Sequence, residues 1–165
     1  MKGIDILLQA MVLLGEERID AHLTVVGRGG LEEWARGFIE KRGLGPNITM
    51  LGNVPDNALI SLYTSFDCVV IPSRSESIPL VFSEALNFDM EMIVADVGDL
   101  GRLSQRYGVA DVIPPEDPVS LKEAMKKRIF QKREGPKAGD ALKRTELKRL
   151  FDMETSIERF LRRYG

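Results

Sequence analysis

The amino-acid sequence predicts an α/β fold in which a parallel sheet is covered by helices on both faces. Three observations support this prediction. Short apolar segments rich in β-branched residues alternate along the chain with segments of helical periodicity. Each predicted strand is apolar throughout, which is typical of parallel strands that are buried on both faces. The chain has 165 residues, 44% hydrophobic and 29% charged, which fits one globular domain with a sizeable core.

The first half of the chain is predicted from apolar spacing and from the residues that end each segment. Apolar residues at i, i+3, i+4 and i+7 mark helices, and short β-branched runs that stop at glycine or proline mark strands. In the helix that follows Pro55, the side chains of Leu59, Ile60, Tyr63 and Phe66 are predicted to face inward. The predicted elements are a helix over 4–14, a strand over 21–27, a helix over 31–43, a strand over 47–52 and a helix over 55–66.

The second half continues this alternation and then becomes helical. The run DCVVIP predicts a strand that proline ends, and MIVAD and VADVI predict two more strands. The segment REGPKAGD, residues 133–140, is the one predicted flexible joint. The predicted elements are a strand over 67–72, a helix over 78–88, a strand over 92–96, a helix over 99–107, a strand over 109–113, and helices over 118–133, 138–150 and 153–164.

The chain opens on a helix, with no strand before it. The first strand of a doubly wound sheet is normally central, so we expect this sheet to lack its first central strand unless another segment fills the place. Ligands of such sheets bind beyond the carboxyl ends of the strands. The loops of interest are therefore those at 27–31, 52–56, 72–79 and 96–101.

Two glutamates flank the start of the predicted helix 78–88. Glu76 and Glu84 are separated by seven residues, and the helix around Glu84 is apolar. A carboxylate there is costly unless it accepts hydrogen bonds, and the sequence leaves open whether protein groups or ribose hydroxyls donate them. Ser77 is predicted to cap the helix and Pro79 suits its first turn. The free N–H groups predicted to bind a diphosphate or a sugar oxygen are those near Ser77, Ile78, Leu80 and Val81.

A glycine-rich segment follows the first predicted strand. Gly27, Arg28, Gly29 and Gly30 either let backbone N–H groups approach a phosphate or form an ordinary tight turn. A dinucleotide fingerprint would need glycine where Glu32 stands, and no acidic residue ends the next strand. The pattern therefore argues against a nicotinamide-dependent dehydrogenase.

Composition excludes several other classes of protein. No apolar run approaches the roughly 20 residues that span a bilayer, and the N-terminus lacks the features of a signal peptide. The single cysteine, Cys68, is interpreted as a core residue, and with the missing signal it indicates a cytoplasmic protein. With His22 as the one histidine, no Cys/His cluster and no Asp-rich loop, the sequence predicts no metal site.

Charge is spread unevenly along the chain. Residues 1–121 hold 9 basic and 18 acidic residues, whereas residues 122–165 hold 14 basic and 7 acidic residues. The basic C-terminal helices either contact an anionic partner, such as a membrane surface, or are simply solvated helix faces. No aromatic residues are interleaved with the basic ones, so nucleic acid is not an expected partner.

These segments resemble, in order and over nearly the whole chain, the C-terminal donor-binding half of retaining glycosyltransferases of family 4 (glycosyl transferases group 1). That family has two Rossmann-like domains that face each other across a cleft, known as the B-type fold. The segments that carry the resemblance are KGIDILLQAM, LTVVGRGG, NITMLGNVPDNALISLYTSFDCVVIPS, ESIPLVFSEAL with its two spaced glutamates, and RLFDMETSIERFLRRY.

The resemblance implies roles for individual residues. Lys2 corresponds to the lysine that neutralises the donor phosphates, and Glu76 to the acid that contacts the transferred sugar. Glu84 corresponds to the acid that holds the nucleoside ribose. The further donor-binding positions are Gly27, Arg28 and Gly29 in the glycine turn, Val54 and Asp56 at the base pocket, and the backbone of Ser77, Ile78, Pro79, Leu80 and Val81 at the diphosphate.

The resemblance also implies partners and an organisation. Residues 1–133 would form a Rossmann-like nucleotide-sugar-binding domain, and residues 134–165 would form helices that pack back on it. The domain would transfer a hexose from a nucleoside-diphosphate sugar with retention, without metal or cofactor. It would work with an N-terminal acceptor-binding domain or subunit, in the cytoplasm or at the inner membrane face.

Several departures from the family pattern keep a second function open. Asp89 and Glu91 replace a glycine and a proline after Glu84, and Asp99 replaces the second glycine before the next helix. These acids slightly favour a catalytically inactive nucleotide-sugar sensor or interaction module. A phosphorylase or epimerase is a third, weaker interpretation, because neither a pyridoxal-type lysine context nor additional acid–base residues are visible.

Overall fold

A computed structural model describes residues 2–131 and 138–151, which form seven α-helices and five strands in the predicted order. The strands are β1 (Leu23–Val26), β2 (Ile48–Gly52), β3 (Cys68–Ile71), β4 (Glu91–Ala95) and β5 (Asp111–Ile113). The helices are α1 (Ile4–Glu16), α2 (Glu32–Lys41), α3 (Asp56–Ser65), α4 (Leu80–Asn87), α5 (Gly98–Tyr107), α6 (Pro118–Phe130) and α7 (Ala138–Phe151).

Every predicted element within the described residues is present, with ends that differ by a few residues. The predicted helix over 153–164 and most of the predicted joint lie outside the described residues. One predicted inward side chain is wrong: Ile60 on α3 is 53% exposed, whereas Tyr63 is buried. Each residue turns a helix by about 100°, so Leu59, Tyr63 and Phe66 share one face and Ile60 falls beside it.

The strands form parallel sheets with helices on both faces, which confirms the predicted fold class. β1 pairs with β2, and β3, β4 and β5 pair in that order, all parallel. Successive residues of β4 enter opposite core clusters. Ile93 packs with residues of α1 and α6, while Met92 and Val94 pack with residues of α4, α5 and α7. Both faces of β4 are therefore buried.

A groove of about 2010 Å³ separates the two sheets, and both β1 and β3 line it. Among the described residues no strand pairs with the free edge of either β1 or β3. The described residues thus lack the first central strand of a doubly wound sheet, and the groove falls where that strand would lie. As a consequence the apolar strands β1 and β3 stay partly exposed, although β4 is almost fully buried.

The basic helices α6 and α7 direct much of their charge into the domain. The ammonium group of Lys122 pairs with Glu17 at 2.5 Å. Arg144 is buried, and its guanidinium donates to the carbonyl oxygens of Met90 and Val109, both at 3.2 Å. Within the described residues, basic side chains of α6 and α7 thus bind acids and carbonyl oxygens of the domain that these helices cover.

Candidate functional site

Two loops at the carboxyl ends of strands border the groove between β1 and β3. We call residues 27–31, after β1, the glycine turn, and residues 72–79, after β3, the glutamate loop. Much of the groove lining is apolar, from β1, β3 and α1. The predicted site residues that line it are Lys2, Gly27, Arg28, Gly29, Pro79, Val81 and Glu84.

The remaining predicted residues lie elsewhere. Glu76 does not line the groove itself but contacts Lys2, which does. The structure does not bring Val54, Ser77, Ile78 and Leu80 into the groove lining. The side chain of Asp56 lies outside the described part of the chain. The functional roles of all these residues stay predictions.

The two predicted catalytic residues form an ion pair at the mouth of the groove. Nζ of Lys2 lies 2.5 Å from Oε2 of Glu76, and the Lys2 side chain is 73% exposed. The start of α1 packs directly on the end of β3, because a Cβ added to Gly3 would lie 1.9 Å from the carbonyl oxygen of Pro72. Gly3 has a left-handed φ of 72°, which glycine adopts most readily.

Glu84 has a hydrogen-bond donor within the protein. The hydroxyl of Tyr63 donates to Oε2 of Glu84 at 2.7 Å, and the Tyr63 ring stacks on Phe88 with centroids 5.2 Å apart. Burial, followed by the hydrogen bond to the Glu84 carboxylate, raises the pKa of Tyr63 above its usual value. Sequence reasoning missed Tyr63 as a site residue, although its inward position on the preceding helix was the available signal.

This hydrogen bond only partly satisfies the Glu84 carboxylate. An ionised carboxylate offers about four lone-pair sites, and Tyr63 occupies one of them. Oε1 of Glu84 accepts no hydrogen bond from any residue that the structure describes. The arrangement therefore fixes the carboxylate on one side and leaves an acceptor oxygen beside the groove.

The predicted cap of α4 is wrong. The helix begins at Leu80 and its N-cap is Pro79, with no side chain bonded to the terminal N–H groups. Pro79 has an extended ψ of 149°, so the helix starts after it and Ser77 lies too far back to cap. The Ser77 hydroxyl donates instead to Asp99 at 3.2 Å. The start of α4 is consequently an uncapped helix terminus, which favours an anion.

The three acids that depart from the family pattern are all paired. Asp99 lies 2.5 Å from the guanidinium of Arg102. Asp89 pairs with Lys148 at 2.8 Å, and Glu91 with Arg128 at 2.6 Å. Each negative charge therefore has a basic partner nearby, which weakens the charge argument that favoured an inactive nucleotide-sugar sensor or interaction module.

The glycine turn is held mainly by its backbone. The N–H of Gly27 donates to the carbonyl oxygen of Gly52 at 2.6 Å, and Gly27 has a left-handed φ of 102°. A Cβ added to Gly29 or Gly30 would meet no atom within 4 Å. The turn thus leaves room for a ligand to approach its backbone closely.

The described residues contain neither a cluster of metal ligands nor a membrane-spanning helix. Within residues 2–131 and 138–151, no three His, Cys, Asp or Glu side chains cluster in a way that would hold a metal ion. No helix in these ranges combines the length and the apolar character needed to cross a membrane.

Comparisons with known proteins agree with this geometry. The family model described as Glycosyl transferases group 1 matches residues 1–140. An uncharacterised glycosyltransferase of Methanocaldococcus jannaschii is 31% identical over 120 residues, which cover 73% of this chain and 30% of that protein. A D-inositol 3-phosphate glycosyltransferase of Segniliparus rotundus is 36% identical over 104 residues, which cover 61% of this chain and 23% of that protein.

A solved structure extends the likeness to the fold. The structure of HepE from Anabaena in complex with UDP and glucose is similar with a TM-score of 0.77 at 19% identity, over 97% of this chain and 44% of that one. By contrast, the chain spans only about a quarter to a third of the length of the curated relatives above.

Proposed function

This chain belongs to the glycosyl transferases group 1 family, and on that premise we propose that it binds the donor of a retaining sugar transfer. The donor is a nucleoside-diphosphate sugar that carries a hexose. The observation that carries the proposal is the convergence of Lys2, the uncapped start of α4 and an acceptor oxygen of Glu84 at the carboxyl end of the groove, beyond the strands. UDP bound to the Anabaena neighbour supports the choice of nucleotide class.

Each group contributes a separate interaction in this proposal. The ammonium of Lys2 and the N-terminus of α4 stabilise the diphosphate as the bond to the sugar breaks and charge builds on the leaving group. Oε1 of Glu84 accepts from a ribose hydroxyl while Tyr63 holds the other oxygen. Glu76 contacts the transferred sugar. The proposal includes no metal, and the ammonium of Lys2 together with the N-terminus of α4 offsets part of the diphosphate charge.

The proposal includes a partner that completes the cleft. The family relatives are three to four times longer than the matched segment, so an N-terminal acceptor-binding domain or subunit faces the groove. Alone, the chain binds donor weakly and transfers little sugar. A contact with anionic membrane lipid stays a prediction, and the pairing of α6 side chains such as Lys122 with acids argues for a small effect at most.

Titration calorimetry with UDP and UDP-glucose tests the proposal. We expect Lys2→Ala and Glu84→Gln each to weaken UDP binding about tenfold, since each removes one charged interaction with the ligand. Lys126→Ala is the matched control. It removes a basic residue of α6 that pairs with Glu17, and this variant should bind UDP like the unaltered chain. Failure of the unaltered chain to bind any nucleoside diphosphate, or equal affinity in all variants, would contradict the proposal.

A further inference from the structure

Arg74 connects the glutamate loop to two other parts of the domain. Its two terminal nitrogens donate to the two oxygens of Asp5, in the first turn of α1, at 2.8 and 2.6 Å. Its Nε donates to Glu116, in the segment between β5 and α6, at 2.6 Å. Every nitrogen of this guanidinium therefore binds a carboxylate, in the two-pronged geometry that makes such pairs specific.

The loop is also fixed from its other side. A Cβ added to Gly98, at the start of α5, would lie 2.3 Å from the carbonyl oxygen of Glu76. Glu116 has a left-handed φ of 59°, a conformation that non-glycine residues keep only when surrounding contacts hold them. Contacts with α1, α5 and the segment before α6 thus surround the loop that carries Glu76.

The pair formed by Arg74 and Asp5 lies directly behind the pair formed by Glu76 and Lys2. Asp5 follows Lys2 by three residues and Arg74 precedes Glu76 by two. The inner pair is mostly shielded, with side chains 21% and 24% exposed, whereas Lys2 is 73% exposed. Because a flexible exposed ion pair contributes little to holding two segments together, the inner pair contributes more than the outer pair to holding the glutamate loop on α1.

We propose that Arg74 is a positioning residue for the donor site, which fixes the separation of Lys2 and Glu76 by holding the glutamate loop on α1. This inference rests on the proposed function. Arg74 does not line the groove, and its nitrogens are already engaged, so it acts through Lys2 and Glu76 and not by touching the donor. In this proposal, the positions of Lys2 and Glu76 depend on the pair of Arg74 and Asp5, which lies outside the two-glutamate motif.

A double-mutant cycle between Arg74 and Lys2 tests this role. UDP affinity is measured by calorimetry for the 165-residue chain, for Arg74→Ala, for Lys2→Ala and for the double variant. We expect Arg74→Ala to weaken binding about tenfold when Lys2 is present, and by less than about twofold when Lys2 is already alanine. Arg74→Lys keeps the positive charge but loses the bidentate hydrogen bonds to Asp5, so its UDP affinity should lie between those of Arg74→Ala and the unaltered chain.

Stability is measured in parallel to separate positioning from folding. Urea unfolding identifies conditions in which each variant is folded, and Asp5→Asn replaces Arg74→Ala if that variant does not fold. If Arg74 acts only in folding, Arg74→Ala either leaves UDP affinity unchanged or causes a loss that adds to that of Lys2→Ala in the double variant. Either result would overturn the inference and leave the proposed function intact. Absence of UDP binding by the unaltered chain overturns the proposed function and this inference together.

Discussion

The glycine turn and the glutamate loop follow β1 and β3, two strands on opposite sides of one groove, yet they are held in place in opposite ways. The glycine turn is held by backbone hydrogen bonds, such as those from Gly27 to Gly52 and from Glu32 to Gly29, and has open space around Gly29 and Gly30. The glutamate loop is bound by side chains from α1 and from the segment before α6, and packs against Gly98. The first is open for a ligand to approach, and the second is preorganised.

This difference predicts which property of the protein each region controls. Substitutions in or against the glutamate loop should reduce both stability and donor affinity, because the loop is part of the packed fold. Substitutions of Gly29 or Gly30 in the glycine turn should leave stability nearly unchanged and act mainly on the ligand. The same reasoning orders the expected effects of the variants below.

Gly98→Ala should have the largest effect. The new methyl group would overlap the carbonyl of Glu76 at 2.3 Å, and the residue has a left-handed φ of 51°. We expect the free energy of unfolding to fall by about 3 kcal/mol, measured by urea denaturation. Gly30→Ala is the matched control, with a change below about 0.5 kcal/mol because its Cβ has free space. Equal losses for both variants would contradict the comparison.

Asp5→Asn should have the next largest effect, and the effect should depend on pH. The hydrogen bonds from Arg74 are the largest cause that holds the pKa of Asp5 below its usual value. The carboxylate therefore contributes stability above the unfolded pKa of about 4, and this contribution is lost as pH falls through the lower folded value.

We expect Asp5→Asn to lower the free energy of unfolding by about 2 kcal/mol at pH 7, with the loss shrinking as pH falls below the unfolded pKa and disappearing below the lower folded pKa. Urea denaturation across pH measures this difference. Asp20→Asn, at an exposed carboxylate, is the control and should show little loss. A pH-independent loss for Asp5→Asn would show that its charge is not what holds the glutamate loop.

Tyr63→Phe should lower the free energy of unfolding by about 1 kcal/mol. The substitution removes the hydrogen-bond donor of Glu84 and keeps the ring that stacks on Phe88. The pKa of Tyr63 is raised, so its contribution is complete below the unfolded value of about 10 and declines as pH rises toward the folded value. Unfolding curves at neutral and alkaline pH measure both effects. Tyr107→Phe is the control; a loss as large as that of Tyr63→Phe would contradict a specific link to Glu84.

Arg102→Ala should have the smallest effect on stability, below about 0.5 kcal/mol, because its pair with Asp99 is exposed. It should instead weaken UDP binding by about two- to threefold at low ionic strength, since the freed carboxylate lies beside the start of α4. Calorimetry in high salt should remove the difference. A loss that persists in high salt would indicate a direct contact between Arg102 and the nucleotide.

The sequence predicted the fold well because each signal was local. Apolar strands such as β4 indicated burial on both faces, and glycine or proline marked the ends of most elements. The failures concern details that neighbours in space decide. Ser77 was predicted as a cap, but Pro79 delays the helix and Asp99 takes the Ser77 hydroxyl instead.

The motif residues of the candidate site could be predicted from the sequence, but the residues that hold them in place could not. The spacing of Glu76 and Glu84 and the position of Lys2 follow from the chain itself. The partners that orient these residues are distant in sequence: Tyr63 precedes Glu84 by 21 residues, and Arg74 follows Asp5 by 69. Periodicity places Tyr63 on the inward face of its helix but does not identify Glu84 as its partner, because only the packing of α1, α3 and the glutamate loop brings these pairs together.

The most direct test of the donor-binding account is a titration of the isotope-labelled chain with UDP, followed by amide chemical shifts in nuclear magnetic resonance. We predict that the largest shifts fall on the glycine turn and on the start of α4, Leu80 to Glu84, with α6 unaffected. Glu84→Gln should reduce these shifts at the same UDP concentration. Shifts confined to α6 or α7, or no saturable shifts at all, would contradict the assignment of the carboxyl end of the groove, between the glycine turn and the start of α4, as a nucleotide-sugar site.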